Sequence, residues 1–272
     1  MNIVMKFRFS GYLIVMLLIF VALAGCSFQT PAKQDSRSHS LSQPLHKTQS
    51  KKVTVPTVSS MNRKSIHTVA NPDSTLVLVN KFFKLPDHYV PRHLVTADVR
   101  FIDGGKSEKD KMQRVAASAL KRMFDAAKKD HVPLAGVSAY RSFKMQTRLF
   151  DYYSDIDGKK QALKYSALPG TSEHETGLAI DVSGISGAYA ASTAFNTTPE
   201  ARWLARHARD FGFIVRYPEG KEQVTGYEYE AWHIRYVGVK AARTIAGRGM
   251  TLEEYLGKVP VKNNYQWLTL IV

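Results

Sequence analysis

Ser172-Glu173-His174-Glu175-Thr176-Gly177-Leu178-Ala179-Ile180-Asp181 runs from a turn into a strand. If residues 178–182 are extended, Leu178, Ile180 and Val182 point one way, into a core, while Ala179 and Asp181 point the other. A carboxylate then stands beside a small residue on an open face. His174 lies in the turn leading in, and Gly177 lets that turn fold back tightly. Such a unit aims an imidazole and a carboxylate at one point. Taken alone, the pair also fits a helix cap or a surface contact.

Downstream, Glu230-Ala231-Trp232-His233-Ile234-Arg235-Tyr236-Val237 offers a second imidazole with a carboxylate three residues before it. In a regular strand Glu230 and His233 face opposite sides, so a shared site requires a bend or bulge near Trp232. An aromatic-rich strand with a satisfied histidine is the plain alternative. Together the two stretches supply His, Asp, His and a spare Glu. Three nitrogen or oxygen ligands with an open fourth position are what a catalytic zinc uses, although these donors also tolerate other divalent metals. One cysteine in 272 residues excludes a multi-cysteine zinc site and an internal disulfide framework.

Around these stretches the chain reads as one α+β domain, a small mixed or antiparallel sheet flanked by helices, over residues 71–272. Leu76–Val79, Leu134–Tyr140 and Leu178–Val182 are strand candidates, and Phe213–Tyr217 and Tyr227–Tyr236 are aromatic runs of β type. From Glu108 to Lys129 the apolar residues Met112, Val115, Ala116, Ala119, Leu120, Met123, Phe124 and Ala127 recur at helical spacing. Phe143–Tyr152 reads as a short helix. Thr198-Pro199 caps a helix running to about Asp210. Val237–Ala246 is helical, and Thr251-Leu252-Glu253-Glu254 has capping-box spacing. Strands and helices do not alternate regularly, and no phosphate-binding glycine fingerprint is present.

The N-terminus points out of the cytoplasm. Lys6 and Arg8 precede the uncharged apolar run Tyr12–Leu23, which ends in Leu23-Ala24-Gly25-Cys26. A run of about a dozen residues is short for a spanning helix and suits an export signal. The junction resembles a bacterial lipobox, which implies a signal peptide at 1–25 and a lipid on Cys26; an uncleaved anchor is the alternative. Residues 26–70 are rich in Ser, Thr, Gln, Lys and Pro, and read as a flexible tether. The tether holds seven Lys or Arg against one acid, and the segment before it adds Lys6 and Arg8, so only +7 of the chain's net +15 belongs to residues 71–272. A basic tether is attracted to anionic lipid or acidic wall polymers, or serves as a plain solvated spacer. An exported chain with its charge spread in this way is not a nucleic-acid binder. The expected location is extracytoplasmic, anchored to the bacterial membrane by lipid on Cys26.

The pattern Ser-x-His-x-x-Gly-x-Ala-x-Asp followed by Glu-x-Trp-His resembles the zinc D-alanyl-D-alanine carboxypeptidases of the VanY-like family, in the fold group shared with the hedgehog signalling domain. The similarity extends from Asn71 to about Gly257 and includes Leu78-Val79-Asn80-Lys81, Ser138-Ala139-Tyr140-Arg141-Ser142 with Gln146, and Pro169-Gly170. It implies one zinc held by His174, Asp181 and His233, and Glu230 as general base. It further implies Arg141 on the substrate's terminal carboxylate, with Gln146 and Ser172 hydrogen-bonding the peptide end. A guanidinium suits that task because it matches a carboxylate in two prongs. The implied reaction removes the terminal D-alanine of peptidoglycan stem peptides, from a pentapeptide (D,D) or a tetrapeptide (L,D), with zinc activating the attacking water. Endopeptidase or D-Ala-D-Ala dipeptidase activity on the same scaffold, and a non-catalytic wall-binding lipoprotein, are the alternatives. Glu228 is a rival base, Glu173 and Glu175 are neighbours of a ligand, Trp232 is expected to pack rather than react and to wall the metal site, and His39, His46, His67 and His207 are expected bystanders. Ala139 replaces a glycine common in relatives, and Leu168 stands where some carry a polar residue, which bears on peptide preference.

Overall fold

The computed structural model describes residues 66–105 and 107–258. Cys26, the signal segment 1–25 and tether residues 26–65 lie outside the described residues, as do residues 259–272. Within the expected tether, His67–Thr68 form a short strand, β1, paired in parallel with β2 at Phe83–Lys84. The described structure therefore includes residues 66–70 of the expected tether.

Leu76–Val79 was expected to be a strand; instead these residues lie outside the sheets, next to an isolated bridge between Asn80 and Phe83. Val77, Leu78 and Val79 are nonetheless buried. The carbonyls of Thr75 and Val77 accept bonds from the Arg235 guanidinium rather than from a neighbouring strand. The helix expected from Glu108 also starts later. Glu108–Asp110 form a 3-10 turn, and Lys111–Gln113 are a strand, β4, antiparallel to β3 at Leu94–Thr96. Helix α1 then spans Arg114–Lys129. Met112 is buried from a strand and Val115 is exposed, while the rest of the stripe faces the core. Pairing with β3 diverted the first residues of a helical pattern.

The site is carried by a four-stranded antiparallel sheet of β5 (Leu134–Ser138), β6 (Ala179–Gly184), β7 (Phe213–Tyr217) and β8 (Glu230–Tyr236), in the order β5-β6-β8-β7. Leu178, Ile180 and Val182 are fully buried in the main core with α1 and α4 (Pro199–His207), as the strand parity requires. Burying such side chains stabilises the fold by about 1.5–3 kcal/mol each. A second cluster gathers Leu78, Ile214 and Leu252 with α6 (Val239–Gly247). Helix α2 runs from Phe143 to Asp157, beyond the expected Tyr152. Ser142 Oγ caps it by accepting from the Met145 amide, and Gly158, at φ 78°, ends it. Helices α3 (Lys159–Tyr165), α5 (Glu222–Thr225) and α7 (Leu252–Tyr255) complete the set. The capping box expected at Thr251–Glu254 is formed, with both hydrogen bonds in place.

Two irregularities in the sheet matter for the site. In β5 the register slips between Gly136 and Ser138, so one extra residue bulges and redirects the chain toward Ala139–Arg141. Between β7 and β8, Val215 pairs with Ile234 but Tyr217 pairs with Glu230, which leaves extra residues in β8 between 230 and 234. This is the distortion near Trp232 that a shared site for Glu230 and His233 requires.

Candidate metal centre

His174 sits in the 3-10 turn Glu173–Thr176, which closes on Gly177 at φ 64° and ψ 14°. The turn is pinned by β4, where the Gln113 amide donates to Gly177 O and its side chain donates to Thr176 O, both at 2.8 Å. Asp181 and His233 are direct partners across the two central strands, β6 and β8. Cross-strand neighbours share a face of the sheet, so the pairing alone brings imidazole and carboxylate together.

The three side chains converge. His233 Nδ1 lies 2.8 Å from Asp181 Oδ1, and His174 Nε2 lies 3.4 Å from Asp181 Oδ2. One ligand atom from each of His174, Asp181 and His233 falls within 4.8 Å of the others, and all three residues are buried. On its far side, His174 Nδ1 is 2.7 Å from the carbonyl of Ala139. A carbonyl only accepts, so the proton of a neutral His174 sits on Nδ1 and its Nε2 lone pair faces Asp181. Burial lowers the pKa of His174 and favours that neutral form. Burial opposes ionisation of Asp181 too, but the attraction of the two histidines outweighs it and holds the carboxylate ionised. For His233, burial is outweighed by the hydrogen bond to Asp181 and the nearby carboxylate of Glu173, raising its pKa to about 9. Two inward nitrogens and a carboxylate, desolvated and concentrated around one point, suit a divalent cation, which would displace the His233 proton.

Glu230 is half-buried at the start of β8, and burial pushes its pKa up to about 7, against the opposing pull of His233. The rival Glu228 is exposed. Arg141 follows the β5 bulge and is desolvated, its backbone amide donating to His174 O at 3.3 Å. Its Nη1 donates to Gln146 Oε1 at 2.9 Å, and Gln146 Nε2 donates to Ala167 O at 2.7 Å. Gln146, expected to hydrogen-bond the peptide end, is buried and joined through its amide to Arg141 and to the 167 carbonyl. Ser172 is buried at the N-terminal edge of the His174 turn. Trp232, expected to serve in packing rather than catalysis, lies in the main core. His207 stacks on Trp203 at 4.8 Å.

The sequence did not reveal what lies behind the triad. Tyr217 stacks on His233 at 5.0 Å. Glu173, passed over as a mere neighbour, is buried and bonded by Arg216 Nε and Arg235 Nη1, each at 2.8 Å. Arg216 also forks onto Glu253 at 3.0 and 2.6 Å. Arginines within the apolar strands Phe213–Tyr217 and Glu230–Tyr236 were the available signal, because a buried guanidinium requires a buried acid.

Two imidazoles and a carboxylate around one point, with a further carboxylate and a guanidinium nearby, make up the donor set of a mononuclear metallohydrolase. Comparison with known proteins gives the family. A model of the D-alanyl-D-alanine carboxypeptidase family VanY matches residues 109–239. YodJ of Bacillus subtilis (strain 168) is 47% identical over 194 residues, which cover 71% of this chain and 71% of YodJ. The solved structure of the LD-carboxypeptidase LdcB superposes with a TM-score of 0.68 at 47% identity, covering 71% of this chain and 91% of that one. A mutant of the vancomycin-resistance D,D-pentapeptidase VanY, solved with Zn(II), superposes with a TM-score of 0.53 at 33% identity, covering 67% of this chain and 98% of that one. The chain belongs to the VanY family of D-alanyl-D-alanine carboxypeptidases and is a hydrolase of the carboxypeptidase class.

Proposed function

We propose that this chain is a zinc carboxypeptidase that removes the terminal D-alanine from peptidoglycan stem peptides, outside the cell and tethered to the membrane by lipid on Cys26. The observation that carries the reading is the convergence of His174, Asp181 and His233 within 4.8 Å. The zinc in the related VanY structure supports the choice of metal. The relatives include both a D,D- and an L,D-enzyme, so a pentapeptide and a tetrapeptide are the two candidate substrates.

His174, Asp181 and His233 would hold the metal. When bound, zinc supplies a Lewis acid that polarises the scissile carbonyl and makes water acidic enough to deprotonate near neutral pH. The remaining steps belong to the chain. Arg141 pairs with the free carboxylate of the terminal residue and so fixes the cut at the last amide. Gln146, locked onto Ala167 O, holds the guanidinium in that direction. Glu230, held near neutrality by burial, takes the proton of the attacking water and delivers it to the leaving amine.

The test is to incubate zinc-loaded protein with purified tetrapeptide and pentapeptide muropeptides and follow their masses, with Glu230→Gln alongside. Loss of one alanine from either substrate, absent in the variant, supports the reading and identifies the specificity. If neither peptide is shortened while zinc is bound, the carboxypeptidase reading fails; cleavage of crosslinked peptides would then place the activity within the stem.

A further inference from the structure

His233 turns its two ring nitrogens toward two different carboxylates. Nδ1 lies 2.8 Å from Asp181 Oδ1, on the side where His174 also converges. Nε2 points the opposite way, to Glu173 Oε2 at 3.6 Å. Both Nε2 and Glu173 Oε2 are buried, and neither has a hydrogen bond to any other group. Two orphaned atoms of complementary type thus face one another, a few tenths of an ångström beyond hydrogen-bonding range. An imidazole that gives Nδ1 to a cation keeps its one remaining proton on Nε2 and needs an acceptor there.

We propose that Glu173 is that acceptor: a positioning residue that fixes His233 as the Nε2–H tautomer, presents Nδ1 to the metal, and is itself held by Arg216, Arg235 and Glu253. The proposal rests on the zinc reading above. The division of labour on Glu173 is asymmetric. Arg216 Nε and Arg235 Nη1 both bond Oε1, which leaves Oε2 to face His233. Arg235 is anchored in turn on the carbonyls of Thr75 and Val77. Arg216 is held by the two-pronged contact with Glu253 of α7, whose Oε1 also accepts from Asn80 Nδ2 at 3.1 Å. Two guanidiniums and two carboxylates, all almost wholly buried, balance in charge. Removing one acid would leave a buried cation without its partner, which cannot persist without rearrangement.

A consequence is that α7, near the end of the described chain, supports the metal site without touching it. The two histidines also differ. His174 is fixed by a backbone carbonyl on Nδ1 and offers Nε2, whereas His233 is fixed by a side-chain carboxylate on Nε2 and offers Nδ1.

The experiment reads the tautomers directly. In nitrogen-15 NMR of the zinc-loaded protein, His233 should show a protonated Nε2 and a metal-bound Nδ1, and His174 the reverse. A metal-bound Nε2 on His233 would overturn the proposal. Zinc affinity by chelator competition provides the second reading. Glu173→Ala should weaken it about 10- to 100-fold. Glu173→Gln keeps an acceptor oxygen without the charge and should fall between the variant and the parent. Glu253→Gln should weaken zinc by a smaller factor. Equal affinity in all four proteins would also overturn it. Should Glu173→Ala fail to fold, the glutamine variants and the parent spectrum still decide. A parent protein that binds no zinc would instead refute the zinc reading itself.

Discussion

Replacing Gly177 with alanine perturbs the hinge between the His174 turn and the strand of Asp181 at a single atom. Gly177 has φ 64°, a left-handed conformation that costs an L residue roughly 1–2 kcal/mol. The added Cβ would lie 2.9 Å from Leu94 Cδ2 and 3.4 Å from both Cγ and the backbone nitrogen of Gln113. Leu94 is only half-buried and can turn aside, but Gln113 is tied to the turn by two hydrogen bonds. Overpacking of this kind costs about 1–3 kcal/mol, so the sum is about 2–5 kcal/mol. For a folded region of this size, that corresponds to a midpoint lower by roughly 4–20 °C. The assay is calorimetry of the full chain in excess chelator, so that metal binding does not enter the difference. Zinc affinity should fall as well, because His174 moves with the turn. A midpoint within about 1 °C of the parent would refute the reasoning from strain and contact.

Other outcomes follow from the same geometry. Arg141→Lys should lower kcat/KM by about 1.5–3 kcal/mol, or roughly 10- to 150-fold, mostly through KM. It should also weaken the parent's preference for a free over an amidated C-terminus, since lysine keeps the charge but not the two-pronged match; an unchanged preference would remove Arg141 from carboxylate recognition. Glu230 acts as its carboxylate, so kcat/KM should fall as the medium is acidified. Burial alone places that titration at about 7, and a bound cation pulls it lower. An acid limb centred above 7 would contradict Glu230 as the base. Exhaustive chelation should abolish peptide cleavage and added zinc should restore it; cleavage surviving complete metal removal contradicts the mechanism. Far from the site, Trp203 Nε1 donates to Asp130 Oδ2 at 2.8 Å and links α4 to the end of α1. Trp203→Phe should destabilise the fold by about 1–2 kcal/mol in urea titration without altering zinc affinity.

The sheet strands and the metal-ligand candidates were legible because they are written in local patterns. Parity along 178–182 orders the core residues and Asp181, and the impossibility of placing Glu230 and His233 on one face of a regular strand announced the irregularity found in β8. Misreadings arose where distant partners decide. Lys111–Gln113 continue a helical spacing yet pair with Leu94–Thr96, a contact no local pattern encodes. Leu76–Val79 has strand composition, but the nearby carbonyls of Thr75 and Val77 are taken by Arg235, about 160 positions away. Glu173, Arg216, Arg235 and Glu253 look like surface residues by type. Only the fold shows that they neutralise one another inside it. The hydrogen bonds that join Gln146 to Arg141 and to the 167 carbonyl likewise depend on the fold and are not written in any local pattern.

The central claim is that His174, Asp181 and His233 together hold one catalytic zinc. Crystals of the zinc-loaded protein, measured on either side of the zinc absorption edge, test it most directly. The account predicts one anomalous peak per chain, bonded by His174 Nε2, an Asp181 carboxylate oxygen and His233 Nδ1, with Glu230 and Arg141 facing it. A peak elsewhere, or none at this triad under saturating zinc, would contradict the account.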